Sequence, residues 1–155
     1  MGSLDGKNAL VTGGTAGIGL ASARALADAG AHVFLTGRTQ STIDAAVASI
    51  GASATGVRSD VSDPAQLDAI VEAVRAHGGG LDAVFTNAGG GEFATLEDTT
   101  IEHYLDTFNR NVAGTLFTVQ KVLPLLNPGA SVILSGSTSA SKGIASFGAY
   151  AASKA

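Results

Sequence analysis

The 155-residue sequence contains no cysteine and no tryptophan, and charged residues make up only 14% of it. The absence of cysteine excludes disulfides, thiol nucleophiles and cysteine-based metal sites. A typical globular chain carries about 25% charged residues, so the low value indicates surfaces that another subunit or further chain covers. We therefore expect a homo-oligomer.

Other features that the sequence lacks disfavour several classes of partner. The net charge of −4 and the absence of any run of five basic residues argue against nucleic acid. The N-terminus has no basic segment followed by an apolar one, and proline and glycine interrupt the uncharged stretch 122–141. These features predict a cytoplasmic chain with no signal peptide and no membrane partner. The three histidines show no ligand spacing, so we expect no metal site.

Short apolar runs alternate along the sequence with segments that have the apolar spacing of helices. This order predicts a doubly wound, Rossmann-like α/β fold: a parallel sheet with right-handed crossovers and helices on both faces. The length is that of a single domain, 1–155. The predicted strands are 8–12, 31–36, 54–58, 81–86 and 131–135, and the predicted helices are 20–27, 41–50, 64–77, 101–126 and one beginning near Tyr150.

Two helix boundaries are predicted from local signals. Asp63 can cap a helix whose first residue is Pro64, and the side chain of Gln66 can reach back to complete the cap. At the other end of the chain, Pro128 and Gly129 are predicted to terminate the long helix 101–126, because proline cannot continue a helix.

Three glycines, Gly13, Gly17 and Gly19, lie between the first predicted strand and the first predicted helix. A helix N-terminus presents free N–H groups and the positive end of the helix dipole, which suit a pyrophosphate. Glycine is needed where a side chain would hold the phosphates away from the backbone. The position between strand and helix favours a dinucleotide site over the alternative, which is a plain tight turn.

Near the end of the chain, Tyr150 and Lys154 stand four residues apart and share one face of a helix. A phenol beside an ammonium group suits proton transfer, because the cation favours the phenolate. By itself, a pair with this spacing is equally typical of an ordinary helix surface.

The glycine spacing Thr-Gly-x-x-x-Gly-x-Gly at 12–19 resembles that of the short-chain dehydrogenase/reductase family. The resemblance covers the whole chain, and Ser137 stands thirteen residues before Tyr150, which is the usual separation in the family. The other matching positions are Asp60-Val61 after the third strand, Asn87-Ala88-Gly89 after the fourth, Asn111 in the long helix, and the Tyr150–Lys154 pair.

The resemblance implies a set of cofactor contacts. Asp60 would meet the adenine amino group, with the backbone of Val61 beside the ring, although Asp60 also suits a turn that leads into a helix. The run Asn87-Ala88-Gly89 would lie under the ribose and the nicotinamide, with Asn87 also tying neighbouring strands together. The two further glycines, Gly90 and Gly91, predict a loose loop. The candidate cofactor-binding residues are Gly13, Thr15, Gly17, Ile18, Gly19, Arg38, Thr39, Asp60, Val61, Asn87, Ala88, Gly89, Tyr150 and Lys154.

Charge at the end of the second strand bears on the choice of cofactor. An acid there would accept hydrogen bonds from a ribose 2′-hydroxyl and repel a 2′-phosphate, but the position is held by Gly37. The next residue is Arg38, whose guanidinium matches a phosphate in shape and charge, and Thr39 could add a hydroxyl. NADP(H) is therefore favoured over NAD(H). The alternative is that Arg38 stacks on the adenine, which would serve either cofactor.

The mechanism that the resemblance implies is hydride transfer between the nicotinamide and a small-molecule carbonyl or alcohol. Tyr150 would act as general acid or base, and Lys154 would favour its phenolate and bond the nicotinamide ribose. Ser137 would hold the substrate oxygen. Asn111 would position a water that links Lys154 to solvent; the alternative is a helix-interior amide bonded to backbone. The catalytic candidates are Asn111, Ser137, Tyr150 and Lys154.

The sequence departs from the family by stopping one residue beyond Lys154. Members of the family continue with further strands and a segment that covers the substrate. Either the sequence is a fragment of a longer chain or it is a naturally truncated product. We therefore expect that the C-terminal strands and most of the substrate pocket are missing, and that an uncovered apolar sheet edge invites association. We also expect these 155 residues alone to bind cofactor weakly and to turn over poorly. The alternative function is a non-catalytic NADP(H)-binding or regulatory module, a truncated remnant of such an enzyme.

Overall fold

The computed structural model describes residues 2–155, which form one parallel sheet with helices on both faces. Its strand order is β3-β2-β1-β4-β5, so the chain changes direction between β1 and β4. The loops that follow these two strands therefore lie side by side at the carboxyl edge of the sheet, where such folds bind ligands. The strands are β1 (Asn8–Val11), β2 (His32–Gly37), β3 (Ala54–Arg58), β4 (Leu81–Thr86) and β5 (Leu126–Leu134).

The helices cover the sheet as the alternating pattern predicted, which confirms the doubly wound fold. Among residues 2–155, none of them combines the length and the apolar character needed to span a bilayer. The α-helices are α1 (Gly17–Asp28), α2 (Gln40–Ile50), α3 (Asp68–His77), α4 (Ile101–Phe108), α5 (Gly114–Val122) and α6 (Gly148–Lys154).

The core lies on both faces of the central strands, because successive side chains of a strand point to opposite faces. Leu10 of β1 and Phe34 of β2 pack on the face that α3 and α5 cover. Ala9 and Val33 point the other way, towards α1. Strands that are buried on both faces explain why these runs are apolar without alternation.

Helix α3 begins later than its capping signal predicted. The carboxylate of Asp63 accepts hydrogen bonds from the backbone N–H of Ala65 (3.1 Å) and the side chain of Gln66 (3.0 Å). These bonds close a turn, and the regular helix starts only at Asp68. The prediction was wrong by about one turn because Gln66 Oε1 is engaged by the N–H of Asp60 (3.0 Å), which holds this segment as a connection from β3.

The long helix predicted over 101–126 is helical to Leu125, but it is not uniform. Helix α4 passes through one π-helical turn, Asn109–Ala113, into α5, and a 3₁₀ turn at Leu123–Leu125 contains Pro124 and ends it. Pro128 and Gly129, predicted to terminate the helix, lie inside β5 instead.

Strand β5 is longer than predicted because it contains a bulge. Leu81 of β4 pairs with Leu126, whereas Ala83 pairs with Ser131. The extra residues between the two pairings include Pro128, which has no N–H to donate to a ladder and is tolerated at such an irregularity. β5 forms the edge of the sheet within residues 2–155, and Ile133 and Leu134 are 53% and 59% exposed.

Candidate active site

The loop between β1 and α1 is built by glycines with different tasks. Gly13 has a φ of +65°, and a Cβ placed there would lie 3.0 Å from the Cα of Ala88. A Cβ on Gly19 would collide with the carbonyl of Gly13. Gly17 has a φ of +52° but faces open space. Two of the predicted glycines are therefore required by packing, and the third leaves an open backbone surface that a ligand can approach.

Asn87 holds the carboxyl ends of β1 and β4 together. Its side-chain nitrogen donates to the carbonyl of Thr12 (3.1 Å), and the N–H of Ala88 donates to the hydroxyl of Thr12 (3.0 Å). The predicted link between neighbouring strands is therefore present, and it fixes the loop after β4 against the glycine loop.

A cleft of about 420 Å³ opens between these two loops and the end of β2. The predicted residues that line it are Gly13, Thr15, Gly17, Arg38, Asp60, Val61, Asn87, Ala88 and Gly89, whereas Ile18, Gly19, Thr39, Tyr150 and Lys154 do not. The lining also includes Gly37, at the end of the second strand, and four residues that the sequence did not indicate, which are Ala16, Thr36, Ser59 and Arg110.

Arg110 is the missed residue with the largest side chain. It lies in the π-helical turn, directly before Asn111, and forms an ion pair with Asp106 one turn earlier. In a regular helix these adjacent residues would point about 100° apart. The π-helical turn alters that relation, and nothing in the sequence pattern signals it.

Asp60 stabilises a turn before α3 and also lines the cleft. Its Oδ1 accepts hydrogen bonds from the N–H (3.0 Å) and the hydroxyl (2.7 Å) of Ser62, so it does stabilise a turn before α3. Its second oxygen, Oδ2, makes no hydrogen bond within residues 2–155, and the residue lines the cleft. The turn therefore orients Asp60 and leaves one oxygen available.

The end of β2 requires glycine for a steric reason. A Cβ on Gly37 would lie 2.6 Å from Cγ2 of Thr15 and 3.1 Å from Cγ1 of Ile43. No side chain fits there while Thr15 keeps its position. Arg38 follows immediately, exposed and at the edge of the cleft.

Lys154 and Tyr150 lie on α6, close to each other as their spacing predicted. Lys154 Nζ is 6.0 Å from the centre of the Tyr150 ring and donates to the carbonyl of Ser135 (2.9 Å). Burial lowers the pKa of Lys154 from its ordinary value, because a charged amine loses hydration there.

The side chain of Asn111 is buried and fully hydrogen-bonded. Its Oδ1 accepts from the N–H of Gly90 (2.9 Å), and its Nδ2 donates to the carbonyl of Gly90 (2.9 Å) and to Ser153 Oγ (2.8 Å). The structure thus shows an amide bonded to the backbone of Gly90 and to the side chain of Ser153, and its predicted role in positioning a water stays a prediction. The loop was predicted to be loose at Gly90, and these bonds show that this prediction was wrong.

Gly89 connects the cleft to the candidate catalytic residues. It lines the cleft, and a Cβ on it would lie 2.8 Å from Asn111 Oδ1 and 3.5 Å from Lys154 Nζ. The cleft therefore ends beside Asn111 and the amine of Lys154, which are two of the predicted catalytic residues.

Ser137 lies in the loop after β5, at the start of a short 3₁₀ turn. Its hydroxyl oxygen accepts a hydrogen bond from the N–H of Ser139 (3.1 Å). No hydrogen bond joins it to Tyr150 among the described residues. Its hydroxyl proton is not used in that contact and can be donated elsewhere.

Aromatic rings pack against Tyr150. The ring of Phe147 stacks on it with centres 4.2 Å apart, and Phe93 stacks on Phe147 at 4.4 Å. A Cβ on Gly91 would lie 2.6 Å from Cδ2 of Tyr150, so the loop after β4 lies directly on the ring.

In the part of the chain that the structure describes, no three His, Asp or Glu side chains lie close enough together to hold a metal ion.

Comparisons with known proteins agree with this geometry. The family model described as short chain dehydrogenase matches residues 7–155. Oxidoreductase asL5 of Sarocladium schorii is 44% identical over 154 residues, which are 98% of this chain and 62% of that protein. Hydroxynaphthalene reductase arp2 of Aspergillus fumigatus is 35% identical over 156 residues, which are 98% of this chain and 57% of that protein.

A solved structure has the same architecture. The crystal structure of a dehydrogenase/reductase from Sinorhizobium meliloti 1021 aligns with a TM-score of 0.92 at 35% identity, and the alignment covers 98% of this chain and 62% of that one. The chain thus spans 57–62% of the length of these relatives.

Proposed function

The chain belongs to the short-chain dehydrogenase/reductase family, and from this premise we propose that it transfers hydride between NADP(H) and a small-molecule carbonyl or alcohol. The observation that carries the proposal is the position of Gly89. This residue lines the cleft and also lies against Asn111 and Lys154. A dinucleotide in the cleft would therefore have one end beside the candidate acid–base residues.

The residues of the cleft fit a dinucleotide. The open backbone at Gly17 and the N-terminus of α1 suit a pyrophosphate. The free Oδ2 of Asp60 can accept a hydrogen bond from the adenine amino group, and the backbone of Val61 would lie beside the ring. Asn87 and Gly89 would hold the nicotinamide half. When bound, this cofactor supplies or accepts the hydride.

The preference for NADP(H) is supported by the end of β2. Gly37 carries no acid that would repel a 2′-phosphate, and Arg38 supplies a guanidinium beside it. The steric contact between position 37 and Thr15 supports the same preference, because an acidic side chain would collide there. Thr39 is proposed to add a hydroxyl.

The proton is proposed to move at Tyr150. In the direction of reduction, its hydroxyl gives a proton to the carbonyl oxygen, and in oxidation its phenolate removes the proton of the alcohol. Lys154 is proposed to bind the nicotinamide ribose through its amine. Ser137 is proposed to donate a hydrogen bond to the substrate oxygen. Asn111 holds Gly90 and Ser153, and so positions both sides of the site.

The cofactor proposal is tested by titrating NADPH and NADH into the native chain and into Arg38→Ala, with calorimetric detection. We expect NADPH to bind about tenfold more tightly than NADH to the native chain, because a charge-assisted bond to phosphate contributes roughly 1.5–3 kcal/mol. Arg38→Ala should remove most of that difference. Equal binding of NADH and NADPH by the native chain would show that the preference is wrong.

The catalytic proposal is tested with Tyr150→Phe in an assay of NADPH oxidation with a panel of ketones. An enzyme should lose turnover at least about a hundredfold on this substitution and keep its affinity for NADPH. The non-catalytic binding module would be favoured if the native chain binds NADPH but reduces no ketone. In that case Tyr150→Phe should bind NADPH as the native chain does.

A further inference from the structure

Arg58 lies beside the cleft, on the strand next to β2. It is the last residue of β3 and pairs in register with Gly37, the last residue of β2. Residues in register on adjacent strands point to the same face of the sheet. The Cβ direction of Gly37 points towards Thr15 of the glycine loop. The side chain of Arg58 therefore leaves the sheet on the face that carries this loop.

A second glycine confirms this direction. Gly56 precedes Arg58 by two residues, so both point to the same face of β3. A Cβ on Gly56 would meet the side chains of Ile43 and Val47 on α2. Because α2 and the glycine loop cover the same face, Arg58 emerges beside the end of α2 where Arg38 and Thr39 lead into the helix.

The guanidinium of Arg58 is held at the end of β2. Its Nε donates to the carbonyl oxygen of Arg38 at 3.2 Å. This bond uses one of the five N–H donors of the side chain and leaves both terminal nitrogens free. Arg58 of β3 is thus linked to Arg38, which follows β2 and lines the cleft.

Neither arginine has an acidic partner within residues 2–155. The ion pairs found there involve other cations, and the nearest acids in sequence, Asp44 and Asp60, form no ion pair with either arginine. Two adjacent cations without counter-charges, on a chain whose net charge is −4, form a local site for an anion. The three ion pairs are Lys7–Asp82, Arg110–Asp106 and Lys121–Asp68.

We propose that Arg58 and Arg38 together form a subsite for a dianionic phosphate monoester, and that its ligand is the 2′-phosphate of the cofactor adenosine. This rests on the proposed binding of NADP(H). The planar fork of arginine matches phosphate oxygens in pairs. Gly37, which pairs in register with Arg58 and directly precedes Arg38, carries no acidic side chain that would repel the phosphate. Arg58 would then be a specificity-determining residue contributed by β3.

The test compares two nucleotide fragments, 2′,5′-ADP and 5′-ADP, by calorimetry. Arg58→Gln removes the charge and keeps the length of the side chain in part. We expect it to weaken 2′,5′-ADP about tenfold and to leave 5′-ADP within about twofold. The matched control is Arg75→Gln, an exposed arginine on α3, which should change neither affinity. Equal weakening of both fragments, or no change in either, would overturn the assignment.

Further arms separate this inference from the proposed function. Native chain that binds both fragments equally would refute the NADP(H) preference and the subsite together. If Arg38→Ala removes the preference for 2′,5′-ADP while Arg58→Gln does not, the cofactor proposal stands and the role of Arg58 falls. Arg58→Lys, which keeps the charge without the fork, should give an intermediate affinity and provides a second variant if Arg58→Gln folds poorly. Inorganic phosphate competing as well as 2′,5′-ADP would show a site for free phosphate instead.

Discussion

Asn111 and Gly90 are joined by two opposed hydrogen bonds, each 2.9 Å long. The amide oxygen of Asn111 accepts from the N–H of Gly90, and the amide nitrogen donates to the carbonyl of the same residue. The same nitrogen also donates to Ser153. One buried side chain thus satisfies the backbone of the loop after β4 and ties that loop to the helix that carries Tyr150 and Lys154.

The Asn111–Gly90 contact should contribute measurably to stability. Asn111→Ala leaves both backbone groups of Gly90 without their partners, and an unsatisfied polar group of this kind costs about 1–3 kcal/mol. We expect the free energy of unfolding, measured by urea denaturation, to fall by roughly that amount. Asn109→Ala removes an exposed amide two residues earlier and should cost far less. Equal losses in the two variants would contradict the role given to the contact.

The same contact shows what sequence could not provide about the site. Three consecutive glycines indicate a backbone free to move, and that was the basis for predicting a loose loop. The partners of this backbone lie elsewhere in the chain: Asn111 in the π-helical turn and Tyr150 on α6. These glycines let the backbone of the loop after β4 approach other side chains closely, and only the tertiary structure shows which side chains these are.

The fold could be predicted from the sequence more fully than the site, because the fold depends on patterns that recur along the chain. Apolar runs placed all five strands of β1–β5, and the alternation with helices gave the parallel sheet. The predicted helix boundaries were wrong where the residue taken as a boundary signal has a different structural role. Asp63 caps a turn and not α3, and Pro128 occupies a bulge of β5 and does not terminate a helix.

Gly91 should not tolerate a side chain. In Gly91→Ala the new Cβ would lie 2.6–2.8 Å from three atoms of Tyr150, so either the ring or the loop must move. Overpacking of this kind typically costs 1–3 kcal/mol. We expect a lower urea midpoint and, in the NADPH oxidation assay, a loss of turnover. Gly143→Ala is the matched control, because a Cβ there meets no atom within 4 Å. Identical midpoints for the two variants would refute the prediction.

The stacked imidazoles of His32 and His77 should make stability fall in mild acid. Their ring centres are 4.0 Å apart. Burial, and secondly the charge of His77, lowers the pKa of His32 below its ordinary value of 6.5. The unfolded chain therefore binds a proton at His32 more readily than the folded chain does. The contribution of neutral His32 to the free energy of unfolding is fully present above pH 6.5 and is lost as the pH falls through the lowered pKa.

The measurement for this pair is the urea midpoint at several pH values between 7.5 and 5. We expect the native midpoint to fall with pH, and the fall to be shallower in His32→Gln, which does not titrate. His103→Gln, on α4 and outside the stacked pair, should keep the native slope. A slope unchanged by His32→Gln would show that the stacked pair does not govern the response.

The outer edge of β5, unpaired among residues 2–155, should cause this 155-residue chain to associate. Val132, Ile133 and Leu134 are 39%, 53% and 59% exposed, and the outer edge of this strand pairs with no other strand among residues 2–155. Unpaired backbone groups combined with apolar side chains favour edge-to-edge pairing between copies. Light scattering should therefore show a mass that rises with protein concentration.

Ile133→Lys places a charge on this edge and removes an apolar side chain whose burial contributes roughly 1.5–3 kcal/mol. The dissociation constant should therefore rise by about tenfold or more. Leu96→Lys makes the same change of character at a residue that is 89% exposed in the loop between β4 and α4. That variant should associate as the native chain does. Equal weakening of association by both lysine variants would show that general charge repulsion controls association, and that pairing at β5 does not. A native chain that stays monomeric at every concentration would show that the β5 edge does not cause association.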